Sequence, residues 1–487
     1  MICCQQCILK LSASGSKIRE ISMYPRGYPT AKTIGAIAAL AAGLLSPLGS
    51  ANGADISTAV QARIEGDSSG GCLAVGRIQV IEDGADIRRE TTFACADNET
   101  NKPDARTVFE IGSISKAMLG VLAADLVLQG ELDIERPVAD YLPYSGPPDS
   151  AETMLVRHLL THTSGLPRLP ALQPADHEDP YADFTDEALW HSFENAPLAS
   201  EPGAEYSYSN FAFMILSKLI AEVTGQSLQD YYQTRLFEPL AMEHSGFGLE
   251  TIEGRLANGD AAKNWNFPKD MEAVGGVRSS LHDMLNFAQL QLGLGPPELV
   301  DAAQQSHQLL AEVGEHSIAW GWMLHERNNH QYILHGGGTG GFNAVIIIEP
   351  AEQQAVVVLA NAALYNTQDV QSLGLHLLDE SVEPGLAHRV AAQPEALSLD
   401  DYEGDYPLMP GFNLRIFVED NQLYLQASGQ PAAPLNYQSE DTFENLQHGV
   451  EIEFERDEDR HVSGLELRQF GQTLSGPREV ADDNTNP

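Results

Sequence analysis

Positive charge is scarce in this chain of 487 residues: 28 lysines and arginines stand against 69 aspartates and glutamates, a formal net charge of −41. Such a surface repels phosphate backbones and anionic lipid headgroups, which excludes nucleic acid and acidic membrane surfaces as partners. Cysteine is scarce too, with 5 in all, and Cys3, Cys4 and Cys7 lack the spacing of a metal site. The glycine-rich run near residue 336 carries no Gly-Lys-Ser/Thr, so it is not a phosphate-cradling loop. No internal repeat or low-complexity tract is present. No pattern asks for a metal or another cofactor. The one extended apolar stretch, 33–48, is short for a membrane span and is broken by Pro47.

That stretch reads instead as an export signal, because Arg26 and Lys32 precede it and Gly49-Ser50-Ala51 supplies small residues for cleavage. Residues 1–54 are therefore expected to be leader and signal peptide, with translation starting at Met1 or at Met23. The mature protein is expected in the periplasm or medium, without a stable membrane anchor. Only Cys72 and Cys95 remain after the signal. They flank apolar runs at 73–80 and 87–94 that read as strands paired about Asp83-Gly84, and they are equidistant from that turn. A disulfide between them is expected. Counted from a two-residue turn, the pair falls in the hydrogen-bonded register.

The chemistry lies in three short motifs. In Ser113-Ile114-Ser115-Lys116, a helix opening at Ser113 would bring Lys116 up beside the hydroxyl, since residues three apart share a helix face. A serine needs such a base to become a nucleophile, and a helix N-terminus adds free N–H groups and positive potential. The bland alternative is a capping serine followed by a solvated lysine. Tyr208-Ser209-Asn210 follows, entering a helix near Phe211. Its phenol could pass a proton once a neighbouring cation lowers its pKa, and its carboxamide could hold an amide substrate. The third motif, His335-Gly336-Gly337, ends an apolar strand whose glycines let a substrate approach the backbone.

These motifs in this order, with Leu159-Leu160-Thr161-His162-Thr163-Ser164-Gly165-Leu166-Pro167 between the first two, resemble the serine β-lactamase and penicillin-binding-protein superfamily. The class C-like branch, with its D-aminopeptidases, carboxypeptidases and esterases, is the closer likeness. Gly275-Gly276-Val277-Arg278-Ser279-Ser280 and Trp320-Gly321-Trp322 add to it, over roughly 56–379.

The resemblance implies Ser113 as acylated nucleophile and Lys116 and Tyr208 as proton carriers, either being the acylation base. It implies Asn210 as holder of the substrate amide, and the backbone N–H groups of Ser113 and Gly338 as oxyanion hole, with Gly337 beside them. His335 stands where many relatives have the lysine of Lys-Thr-Gly, a form more similar to the aminopeptidases and esterases. With an ordinary pKa, His335 would grip a substrate carboxylate better as pH falls through about 6.5. His162 is expected to be structural. Trp320 and Trp322 are expected to pack side by side on a strand. The Pro- and Asp-rich loop 168–183 either roofs the pocket or is a solvated insertion.

The expected fold is α+β and multi-domain. A β-lactamase/transpeptidase-like antiparallel sheet flanked by helices, with an all-helical lobe, spans 55–381. A linker at 382–398 leads to a small antiparallel β-barrel at 399–480, resembling a lipocalin-like module, and a tail at 481–487. Strands are read at 345–348, 355–359, 414–418, 423–426, 450–456 and 462–469, and a covering helix at 370–378. The expected activity is acyl-serine cleavage of amide bonds in β-lactams or D-amino-acid peptides. The alternatives are a carboxylesterase and a β-lactam sensor that acylates without turnover. The partners are small-molecule substrates, and association of copies through the C-terminal domain is left open.

Overall fold

Two β-branched runs organise the first region. Strands Asn343–Glu349 and Gln354–Ala360 are buried along almost their whole length, because each is covered on both faces. Ile346, Ile348, Val357 and Leu359 point into one core, while Val345, Ile347, Val356 and Val358 point into another, the two-residue period sorting neighbours to opposite sides. They sit inside an eight-stranded antiparallel sheet. Its spatial order is Asp86–Cys95, Cys72–Ile81, Gln354–Ala360, Asn343–Glu349, His330–Gly338, Met323–Arg327, His316–Ile318 and Ala311–Val313. Helices Ile56–Ile64 and Thr367–His376 share the second core, and Leu281–Gln291 and Ile114–Gln129 share the first.

The computed structural model describes residues 55–479 apart from 82–85, 97–101, 145, 149, 151, 364–366, 386, 388–392, 395–396, 410–411, 420, 429–431, 446–449 and 470–471. The expected export signal, the choice of start, the Asp83-Gly84 turn and part of the linker lie outside the described residues.

Cys72 and Cys95 are bonded and stand opposite one another, with Cα atoms 3.9 Å apart. The expected register is corrected, however. The N–H of Ala96 donates to the Gly71 carbonyl at 2.9 Å, one step outside the cysteines. That places Cys72 and Cys95 in the alternate, closely spaced register. The last described pair on the turn side is Ile81 with Asp86.

The helix Ile114–Gln129 is buried almost throughout from Ile114 to Leu126 and ends where Gly130, at φ 77°, turns its N–H back to the Leu126 and Val127 carbonyls. A helical region follows, with Val156–Leu160, Asp186–Glu194, Asn210–Thr224 and Leu228–Tyr232. The two tryptophans depart from expectation. Trp320 and Trp322 are buried but lie in the bend between His316–Ile318 and Met323–Arg327, not on a strand.

The C-terminal region is an eight-stranded meander in sequence order from Gly404–Met409 to Gln472–Pro477. It is a nearly closed barrel, in which Glu479 N–H reaches the Asp405 carbonyl at 2.8 Å across the gap. In Val450–Arg456, Ile452 and Phe454 face inward while Glu453 and Glu455 face solvent.

Candidate active site

Ser113 occupies the N-cap position of helix Ile114–Gln129, yet its side chain makes no capping hydrogen bond. Its hydroxyl instead meets Lys116 Nζ at 2.9 Å, which decides against the bland reading of the motif. Lys116 Nζ also donates to the Val274 carbonyl at 2.5 Å. Lys116 is fully buried and, among the described residues, has no carboxylate partner. Burial therefore disfavours the ammonium, the charge of Arg168 adds to that, and the amine is held well below the ordinary lysine range. A neutral amine keeps a lone pair, so the contact with Ser113 can also run from hydroxyl to nitrogen. Ser115 fixes this helix start: its Oγ donates to the Gly112 carbonyl at 2.7 Å and accepts from Val277 N–H at 3.1 Å.

Tyr208 lies close enough to Ser113 for its hydroxyl to feel that residue. Its ring stacks on His162 at 4.2 Å between centroids, and both Lys116 Nζ and the Arg168 guanidinium carbon lie 5.2 Å from the ring centre. The expected lowering of the phenol is corrected: burial outweighs Ser113 and Arg168, and the hydroxyl is held above its usual range. Tyr208 is thus a proton-holding phenol at rest. His162 is buried, with Nδ1 accepting from Ser209 N–H at 3.1 Å. Burial keeps it neutral, so it positions Tyr208 rather than competing as a base.

Asn210 opens helix Asn210–Thr224, which Ser209 caps by accepting from Ala212 N–H at 2.9 Å. Its Nδ2 donates to the Tyr181 hydroxyl at 3.3 Å, and its Oδ1 is buried with no partner among the described residues. An acceptor left open in this way is ready for a substrate N–H.

His335 is 4 % exposed, and its Nδ1–H donates to the Gly336 carbonyl at 2.7 Å. Burial first, and then Lys116, push it down to about 3. The imidazolium expected to form near pH 6.5 is therefore not available at that pH, because the site desolvates it. Gly337 and Gly338 lie against the residues preceding the helix: a Cβ at Gly337 would overlap the Ile111 carbonyl, and one at Gly112, where φ is +51°, would come within 2.5 Å of Gly338 N. Two missing side chains thus bring the Gly338 amide to the corner that holds the Ser113 amide.

Three contributors were not singled out as site residues from sequence. The Val274 carbonyl follows no motif. Tyr181, stacked on Phe267 at 4.6 Å, and Arg168 belong to the loop 168–183. That loop is tied down, with Asp179 accepting from Asn266 N–H and Nδ2 at 2.8 and 2.7 Å and Lys263 pairing with Asp176 and Glu178 at 2.8 and 2.9 Å. It roofs the site rather than forming a solvated insertion.

A family model described as Beta-lactamase matches residues 77–378, and one described as Domain of unknown function (DUF3471) matches residues 388–478. Protein flp of Staphylococcus aureus is 26 % identical over 300 residues, covering 57 % of this chain but only 56 % of the staphylococcal protein, so the match spans a little over half of that relative. A beta-lactamase of Escherichia coli is 27 % identical over 311 residues, 55 % of this chain and 80 % of the relative. Among solved structures, a beta-lactamase/D-alanine carboxypeptidase from Pseudomonas syringae aligns with a TM-score of 0.55 at 20 % identity, covering 65 % of this chain and 95 % of the other. A class C beta lactamase from Rhodobacter sphaeroides aligns at 0.55 and 24 %, covering 65 % and 96 %. At these identities the structural likeness speaks for the fold.

Proposed function

Since the chain belongs to the β-lactamase family, we propose that it is a serine hydrolase that cleaves amide or ester bonds through an acyl-Ser113 intermediate. The observation that carries this reading is the 2.9 Å contact between Ser113 Oγ and a buried lysine amine whose burial holds its pKa well below the ordinary lysine range. Lys116 takes the Ser113 proton as Oγ attacks the substrate carbonyl. The backbone N–H groups of Ser113 and Gly338 stabilise the resulting oxyanion, an arrangement in which each donor is worth about 3 kcal/mol. Tyr208 passes its proton to the leaving nitrogen or oxygen and recovers one from Lys116. Asn210 Oδ1 accepts from the substrate amide. Water then releases the acyl group by the reverse proton traffic.

The substrates are β-lactams, D-amino-acid peptides or esters. The neutral His335 favours the ester reading, since the glycine strand offers no cation to a terminal carboxylate. The disulfide supports a periplasmic or secreted location, where such bonds form.

The test is covalent labelling by a fluorescent penicillin and a fluorophosphonate, with turnover of a chromogenic cephalosporin and a p-nitrophenyl ester. Ser113→Ala should abolish labelling and lower turnover by about four orders of magnitude or more. Label persisting on another serine would sink the assignment. A stoichiometric burst without steady state would favour the sensor.

A further inference from the structure

An anionic substrate approaching Ser113 meets a chain of net charge −41, so holding it requires a local cation. Lys116, His335 and His162 are buried, and burial disfavours the charged form of each. Arg168 is different. It is exposed, and among the described residues its guanidinium has no carboxylate or hydrogen-bond partner; its recorded contact is with the face of Tyr208 at 5.2 Å. Its backbone is fixed, because the Arg168 carbonyl accepts from the N–H groups of Asn210 at 2.9 Å and Phe211 at 3.2 Å. The residue is therefore anchored at the start of the Asn210 helix, whose first residue has an open Oδ1, with its guanidinium over the Tyr208 ring.

We propose that Arg168 anchors a carboxylate on the acyl portion of the substrate, the part that lies along Tyr208 and Asn210. This rests on the serine-hydrolase reading above. A guanidinium over an aromatic ring with no carboxylate or hydrogen-bond partner among the described residues keeps N–H groups free, and their edge matches a carboxylate with two parallel hydrogen bonds. The site thereby carries its substrate-facing charge on the roof loop instead of on the glycine strand. The selectivity that follows is for acyl groups ending in an acid.

The experiment compares two p-nitrophenyl esters of matched length, the neutral hexanoate and the half-ester of adipic acid, on the full chain and on Arg168→Gln and Arg168→Lys. Fluorophosphonate labelling of Ser113 checks that each variant keeps its site intact. The adipate half-ester should lose about 10- to 100-fold more kcat/KM than the hexanoate in Arg168→Gln, chiefly through KM. Arg168→Lys should recover part of the loss, and salt should erode the preference. Any influence of Arg168 on Lys116 or Tyr208 falls on both esters alike. Equal losses, or no loss, on the two esters would therefore overturn the anchor while leaving the hydrolase standing. Failure of the wild type to hydrolyse either ester in a Ser113-dependent way would overturn the hydrolase and the anchor together.

Discussion

The two eight-stranded sheets bury their side chains in opposite ways. In the first, strand Asn343–Glu349 is covered on both faces, and the neighbouring strand His330–Gly338 carries His335 into a dry corner against Lys116. In the second, strand Val450–Arg456 has one inner apolar row, and its glutamates face out: Arg468 lies on Glu451 at 2.7 Å and on Glu453 at 2.8 Å, all in solvent. Pairing strands is common to both, and both remove water from titratable groups, Tyr402 and Tyr406 of the barrel region being pushed up to about 12 by burial, but only in the first do the dried groups adjoin the candidate nucleophile. That removal is what changes the chemistry of Lys116 and His335, whereas the outward ion pairs of the barrel alter little.

The largest effect expected from this difference concerns Lys116. Lys116→Ala should lower kcat/KM by about 10³-fold or more, with Ser113 still present. The wild-type profile carries the sign: the amine acts as a base only when unprotonated, and its folded pKa is depressed. Activity should therefore persist at neutral pH, far below 10.5, and fall as acid protonates the amine. An acid limb near 10.5 would break the contrast, because it would mean that the sheet does not desolvate this residue.

The next effect belongs to the barrel. Phe454 is 3 % exposed and packs on Tyr402 at 4.7 Å and Phe443 at 5.8 Å. Phe454→Ala should cost about 3–5 kcal/mol in denaturant unfolding of that region, with kcat unchanged. A fall in kcat would tie the two sheets together functionally. The smallest is the disulfide, which closes a segment of 23 positions. Replacing both cysteines by alanine should cost about 3 kcal/mol at most, read as a lower unfolding midpoint. The hairpin stays folded because Leu73 and Val75 remain in the core. Two alkylatable thiols in exported protein would refute the bond.

How far the sequence spoke depends on the range of the forces involved. Ser113 and Lys116 were legible because their meeting is a property of one helical turn. Strands Val450–Arg456 and Val462–Gln469 were legible from alternation. Gly404–Met409 and Ala433–Ser439 were not, since each contains a proline and a register shift that blur the period. The state of His335 was misread because desolvation is imposed by elements remote in sequence. Arg168 and Tyr181 stood in view, but the ties that hold their loop over the site, from Lys263 and Asn266, are long-range.

The burial of the nucleophile's helix has a further consequence, for how this enzyme can change over time. Amides from 118 to 126 sit in the deepest part of the first core, so their exchange with deuterium should require global unfolding, while the roof loop, held by exposed polar ties, should open locally at far lower cost. Reactive geometry and the acyl selectivity proposed for Arg168 therefore reside in parts of different cooperativity. Drift in the loop can trade one acyl group for another without loosening the serine and lysine that act on it.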